Sequence, residues 1–268
     1  MDAGTYTVAS PLAVSKDLTL AGENAILNHD GPDGPTVNLT GGARLLLLRV
    51  TVTGGDGTTM GHGVQCTNSN LSLHQARIQA NQGRGILASS CDLTVRRSLF
   101  TENSRGAIKL DGLAARFDIT NNLIFRNGNS NEAITGGVYI YSELTGNRFE
   151  FNTVAQNMMG ASSTNSGGVT CDFNFTAPNN VIAQNYANNS STAGGAQTAG
   201  ICSFEGSRIQ TDLAGLGFIS PDASPFDYRL ASGSTLIDQG IPSDITVDVD
   251  GDARPQGNAP DIGADEYK

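Results

Sequence analysis

The sequence predicts an all-β fold, a parallel β-solenoid of about seven to eight coils with an irregular C-terminal cap, and three observations carry that expectation. A small residue followed by a β-branched one recurs as Gly63-Val64, Gly85-Ile86, Ala107-Ile108, Gly137-Val138, Gly168-Val169 and Gly200-Ile201, at steps of 22, 22, 30, 31 and 32 residues. A second ladder interleaves with the first, an apolar residue followed three places later by Asn: Ile78/Asn81, Phe100/Asn103, Ile124/Asn127, Val154/Asn157 and Ile182/Asn185. The third observation is composition. Only 16% of residues are charged, Gly reaches 33 and Trp is absent, which argues against a helical bundle, whose wet faces need Glu, Lys and Arg.

In chain order, residues 1–62 form the less regular opening coils, with apolar runs at Leu18-Thr-Leu20, Ala25-Ile-Leu27, Val37-Asn-Leu39 and Leu45 to Val52. Residues 63–204 carry the regular repeat. Short alternating strands such as Leu71-Ser-Leu73, Leu93-Thr-Val95 and Phe117-Asp-Ile119 lie between the two ladders. A minimum unit of 22 residues accommodates three short strands joined by polar turns, one solenoid coil. A lone coil cannot bury its inward face, so coils stack into a continuous core. The repeated Asn reads as an internal ladder at one bend, its amides satisfying turn backbone groups. Residues 205–268 are rich in Pro, Gly and Asp and lack periodicity, which suits a cap over the last coil. No linker composition separates them, so residues 1–268 read as one domain.

The net charge of −10 disfavours nucleic acid as a partner, since phosphate binding relies on an excess of Lys and Arg. No run of about 18 apolar residues predicts a membrane-spanning helix. Cys66, Cys91, Cys171 and Cys202 lack CxxC spacing, so they read as buried thiols or as one or two disulfides. The opening Met-Asp-Ala-Gly-Thr-Tyr has neither a basic nor an apolar leader region, so the chain is either cytoplasmic or a secreted protein with its leader trimmed. His29, His62 and His74 are scattered and read as turn or surface residues.

Side-chain alternation places candidate chemistry on one face. With the β-branched residues of the first ladder inward, the next residues point out: Gln65, Leu87, Lys109, Tyr139, Thr170 and Cys202. Two further along come Thr67, Ser89, Asp111, Tyr141, Asp172 and Phe204. Lys109, Asp111, Tyr139, Tyr141 and Asp172 thus share one exposed face. The stretches Asn127–Gly137, Asn157–Gly168 and Asn185–Gly200 are longer than their early counterparts and should stack into a wall beside it, with Glu132 in the wall. Tyrosine faces stack on sugar rings while carboxylates bind hydroxyls or a cation. A catalytic reading makes Lys109 or Tyr139 a base abstracting the proton α to a uronate carboxyl, with Arg116, Arg148, or Ca²⁺ held by Asp111 and Asp172 neutralising that carboxylate. A hydrolase would instead pair Asp111 with Asp172. Asp248, Asp250 and Asp252 in Asp-x-Asp-Gly-Asp, with Asp261, are candidate Ca²⁺ ligands, though the distal Glu of an EF-hand is absent.

Ala3-Gly-Thr-Tyr-Thr-Val8 with Leu18-Thr-Leu-Ala-Gly22 resembles the opening of secreted bacterial right-handed β-helix proteins. Tyr228-Arg-Leu230, Gly233-Ser-Thr-Leu-Ile-Asp-Gln-Gly240, Asp248-Val-Asp-Gly-Asp-Ala-Arg-Pro255 and Asp261-Ile-Gly-Ala-Asp-Glu-Tyr267 resemble the choice-of-anchor Q type among them. The apolar-x-x-Asn and Gly-Gly-Val elements also resemble repeats of polymorphic outer-membrane adhesins. The resemblance implies a right-handed, pectate-lyase-like helix on an exported bacterial protein, secreted or at the cell surface, with the usual leader and N-terminal capping helix missing. In the resembled tail, the Asp-rich stretch is a structural turn. The wider class includes pectate and alginate lyases, polygalacturonases, epimerases, tailspikes and adhesins, so fold alone does not choose a function. No polygalacturonase-type Asp-Asp pair or epimerase-type Asp-Pro-His motif is present. The expectation is recognition of a polysaccharide or cell-surface glycan by a monomer or homotrimer. The alternatives are a lyase or hydrolase on an acidic polysaccharide, and a structural spacer without a cleft.

Overall fold

Short strands with branched inward side chains are stable only against identical neighbours, and the repeat supplies them. A computed structural model of the chain describes residues 1–57, 60–128, 133–160, 165–187 and 197–268. In it Val64, Ile86, Ile108, Val138 and Val169 lie opposite one another in parallel register, all fully buried. They belong to an 8-stranded parallel sheet, the first sheet, made of Leu12–Val14, Val37–Leu39, Val64–Thr67, Ile86–Ser89, Ile108–Asp111, Val138–Tyr141, Val169–Cys171 and Thr198–Gly200.

A 13-stranded sheet supplies the other two faces. In the early turns one long strand covers both, as in Leu18–His29 and Arg44–Thr53. In later turns it divides, as in Asp92–Arg96 with Leu99–Thr101 and Phe117–Thr120 with Leu123–Phe125. The second face therefore contains Asp92–Arg96, Phe117–Thr120 and Arg148–Glu150; the third contains Leu99–Thr101, Leu123–Phe125, Thr153–Ala155 and Val181–Ala183. The solenoid of about seven turns encloses one continuous apolar core from Val14 to Ile182.

Single left-handed residues make the bends. Gln75, Arg97, Asn121, Phe151 and Asn179 turn the chain between the second and third faces; Ala80, Glu102, Arg126, Gln156 and Gln184 turn it after the third, all with φ from 50 to 58°. Such residues carry steric strain, and at every one of these bends but Gln75, which Ala76 follows, a Ser or Asn side chain comes next and hydrogen-bonds across the bend. The predicted ladder is present: each Asn Nδ2 donates to the next Oδ1, Asn81 to Asn103 at 2.8 Å, Asn103 to Asn127 at 2.8 Å, Asn127 to Asn157 at 2.9 Å and Asn157 to Asn185 at 3.0 Å. Gln197 Oε1 ends it, accepting from Asn185 Nδ2 at 3.0 Å. A second ladder at the other bend was not foreseen. It runs Asn122, Asn152, Asn180, with Ser98 and Ser207 at its ends.

The last turn departs from the predicted register. Thr198, not Ile201, stands opposite Val169, and Ile201 is 62% exposed. Gly200 sits at φ 91°, which ends the strand one residue before the predicted inward position. Cys202 is therefore not an outward first-sheet residue but is disulfide-bonded to Cys171, and Cys66 to Cys91.

The tail is irregular, as expected, but it straps the side of the helix instead of lying flat over the final coil. It runs back across four successive turns. Gly263 N donates to Asn179 O, Ala264 N to Thr153 Oγ1, Asn121 Nδ2 to Val247 O and Arg97 Nε to Val249 O. Apolar residues face outward on the third face to receive it: Phe125 and Ala155 pack on Tyr228, while Val181 and Ala183 pack on Leu216, Leu230, Leu236 and Ile262. Arg254 lies inside this junction, paired with Glu266 at 3.1 Å with both side chains at most 1% exposed, and stacked over Phe151 at 4.1 Å.

Two histidines are buried, against the surface reading. His29 is 3% exposed, and His62, at 4%, accepts a hydrogen bond on Nδ1 from Arg84 N. Burial, then Arg84 and Arg105, lowers the His62 pKa to about 4. The unfolded chain protonates this residue near 6.5 while the fold resists, so stability is lost as pH falls between these values. His62→Gln keeps an acceptor and removes the titration. Urea unfolding at pH 7.5 and pH 4 should show the variant gaining on the wild type by on the order of 3 kcal/mol as pH falls.

Candidate functional site

The outer surface of the first sheet is built by strands whose inward residues are fixed in the core, so its outward side chains have little positional freedom. Lys109 lies between Leu87 and Tyr139, and Asp111 between Ser89 and Tyr141. Tyr139 and Tyr141 alternate outward on one strand about 6.6 Å apart, as strand geometry dictates. Lys109 Nζ pairs with Asp111 Oδ2 at 2.9 Å and lies 5.5 Å from the Tyr139 ring centre. The Tyr139 hydroxyl donates to Asp172 Oδ2 at 2.5 Å, and Tyr141 meets Phe173 edge-on at 5.1 Å. Lys109, Asp111, Tyr139, Tyr141 and Asp172 are thus gathered as the sequence predicts. Phe173 joins them unforeseen, because it follows the strand and no alternation rule reaches it.

Other predicted members do not join. Ala199 stands beside Thr170 where Cys202 was expected, and Thr170 is buried. Arg148 lies on the second face, opposite Asp118, and is held by Asp244 at 2.8 Å. Arg116 precedes Phe117 on that same face, its backbone N–H donating to Asp92. Both arginines belong to the face beyond the bend that follows the first-sheet strand, and Arg148 is already engaged there by Asp244. Glu132 lies outside the described residues, as does much of the predicted wall. The described edges of the insertions do stack: Met159 N donates to Tyr186 O at 2.8 Å and Gly160 N to Ala133 O at 2.7 Å.

The electrostatics favour a hydrogen-bonding surface over a base. Burial, and then the hydrogen bond and negative charge of Asp172, push the Tyr139 phenol well above its ordinary value, so it stays protonated. Lys109 is spent on Asp111. What the arrangement offers is two tyrosine faces, a phenol, an ammonium and two carboxylates in one preordered array.

The tail carboxylates do not converge as a Ca²⁺ cage. Asp248 accepts from the backbone N–H of Gly251, Asp252 and Glu266, and Asp261 from Asp238 and Tyr267. Asp250 faces Arg229 at 3.6 Å and Asp252 faces Lys268 at 2.6 Å. Their oxygens are occupied in holding the strap together, the role of a structural turn, and no three metal-ligating side chains cluster among the described residues.

Parallel strands stacked coil on coil around one core define a class of fold, the right-handed β-helix. Residues 19–154 match the family model described as the right handed beta helix region, and the chain belongs to that family. A crystal structure of pectate lyase Pel9A superposes with a TM-score of 0.56 at 17% identity, over 96% of this chain and 70% of that one, which shows the shared right-handed fold. No curated protein matches the sequence.

Proposed function

We propose that the protein is exported and recognises a polysaccharide or cell-surface glycan through the outer face of its first sheet. The observation that carries this reading is the array of Tyr139 and Tyr141 with Lys109, Asp111 and Asp172 on one rigid surface. Rings of this kind cover the apolar face of a sugar, while fixed charged and hydroxyl groups bond its edge. Two disulfides support an oxidising compartment and hence export. Binding is favoured over lyase chemistry because the two candidate bases are engaged, Lys109 by Asp111 and Tyr139 by Asp172.

Affinity electrophoresis in gels containing pectate, alginate or a glycosaminoglycan tests the reading. At least one polymer should retard the wild type, and Tyr139→Ala with Tyr141→Ala should weaken that retardation about tenfold or more. Ultraviolet absorbance of unsaturated uronide ends, with and without Ca²⁺, is followed in parallel. Product that vanishes in Lys109→Ala would replace the binding reading with a lyase. Absence of retardation on every polymer would leave a structural spacer.

A further inference from the structure

The geometry points to a second site, for the carboxylate or sulfate of an acidic glycan, in the hollow between the second face and the C-terminal strap. A cavity of about 300 Å³, at the lower end for small-molecule sites, is lined by Arg96, Arg97, Thr120, Asn121, Arg148 and strap residues 244–247. Arg96 and Arg97 from one turn and Arg148 from the turn two further on line it, with the carboxylates of Asp118, Asp244 and Glu150 set against them. Because charges are screened beyond about 8 Å at physiological salt, what an anion meets here is set by these groups and not by the distant negative surface.

The arginines retain binding capacity. Arg97 makes one hydrogen bond, from Nε to Val249 O at 3.2 Å, and has no carboxylate partner among the described residues. Arg96 pairs with Asp118, and Arg148 with Asp244, with Glu150 further off at 3.8 Å. Each guanidinium has five N–H donors in a fork suited to a planar oxyanion, so these pairs leave donors free. The Asp244 carboxylate is 76% exposed. It occupies Arg148 as a ligand carboxylate would and is open to exchange with one.

The glycan part of this assignment rests on the reading of the first-sheet face; the anion chemistry does not. The test is isothermal titration in a Tyr139→Ala/Tyr141→Ala background, where the first-sheet site is disabled. The probes are a galacturonate trimer and inorganic sulfate. The trimer should bind, Arg97→Met should weaken it at least tenfold, Asp244→Asn should tighten it severalfold, and Arg116→Gln, on the same face outside the cavity, should leave it unchanged. Proteolysis of the strap is followed alongside, and an Asp244→Asn gain with the strap still protected keeps the test decisive should Arg97→Met disturb the tail. Lack of binding in this background, or binding indifferent to residues 97 and 244, overturns the second site while leaving the first-sheet reading standing. Sulfate binding as tightly as the trimer overturns the glycan assignment. If the tyrosine pair has no effect and Arg97→Met removes all binding, the second site holds and the first-sheet reading fails.

Discussion

Replacing Asn127 with Ala is expected to lower the unfolding free energy by at least about 4 kcal/mol, near the upper end for a single substitution. The side chain is 1% exposed and makes five hydrogen bonds. Its Oδ1 accepts from Asn103 N and Nδ2, and its Nδ2 donates to Asn157 Oδ1, Phe100 O and Phe125 O. Alanine leaves several of these groups buried without a partner, at about 1–3 kcal/mol each. The left-handed Arg126 beside it also loses the amide that ties its bend to the next turn. Thermal unfolding should show the midpoint falling by on the order of 10 °C. Gln65→Ala, on the outer face of the first sheet, should change it little. A loss below about 1 kcal/mol for Asn127→Ala would mean that the ladder is decoration on a core that holds the bends unaided.

The second large effect is expected at Arg254. Its guanidinium donates to the carbonyls of Asp261 and Gly263, pairs with Glu266 and covers Phe151. Breaking one side of a buried pair strands the other charge, at about 3–5 kcal/mol. Arg254→Met should therefore release the strap, read as rapid proteolysis within residues 205–268 while the helix stays resistant. Adding Glu266→Gln removes the stranded charge and should restore part of the protection. If neither variant is cleaved faster than the wild type, the ion pair is incidental and apolar contacts at Tyr228 and Leu236 hold the tail.

These two sites also show what is legible in the sequence. Parallel stacking places equivalent residues above one another, so Val64 to Val169 and Asn81 to Asn185 announce themselves at coil spacing. The ladder at Asn122, Asn152 and Asn180 obeys the same physics yet escapes notice, because Ser98 and Ser207 end it and the preceding residues vary from Arg97 to Phe151. The pairs Asn121-Asn122 and Asn179-Asn180 were the available signal. The face bearing Lys109, Tyr139 and Asp172 follows from alternation alone. Arg116 and Arg148 were candidates by residue type alone, and residue type does not say which of the three faces a side chain leaves from. The strap is aperiodic, and its partners Arg97, Asn121 and Thr153 lie far away in sequence, so nothing local marks it. The Asp248 motif misleads for a related reason: a carboxylate collecting backbone N–H groups and one collecting a cation present the same residues.

The central claim is that the first-sheet face is where a sugar sits, and a crystal structure with saturating acidic oligosaccharide tests it most directly. A sugar ring stacked on Tyr139 or Tyr141, with a hydroxyl or carboxylate on Lys109, Asp111 or Asp172, is the predicted result. Oligosaccharide seated only elsewhere on the helix, with the Tyr139 hydroxyl still on Asp172 and that face bare, would contradict it.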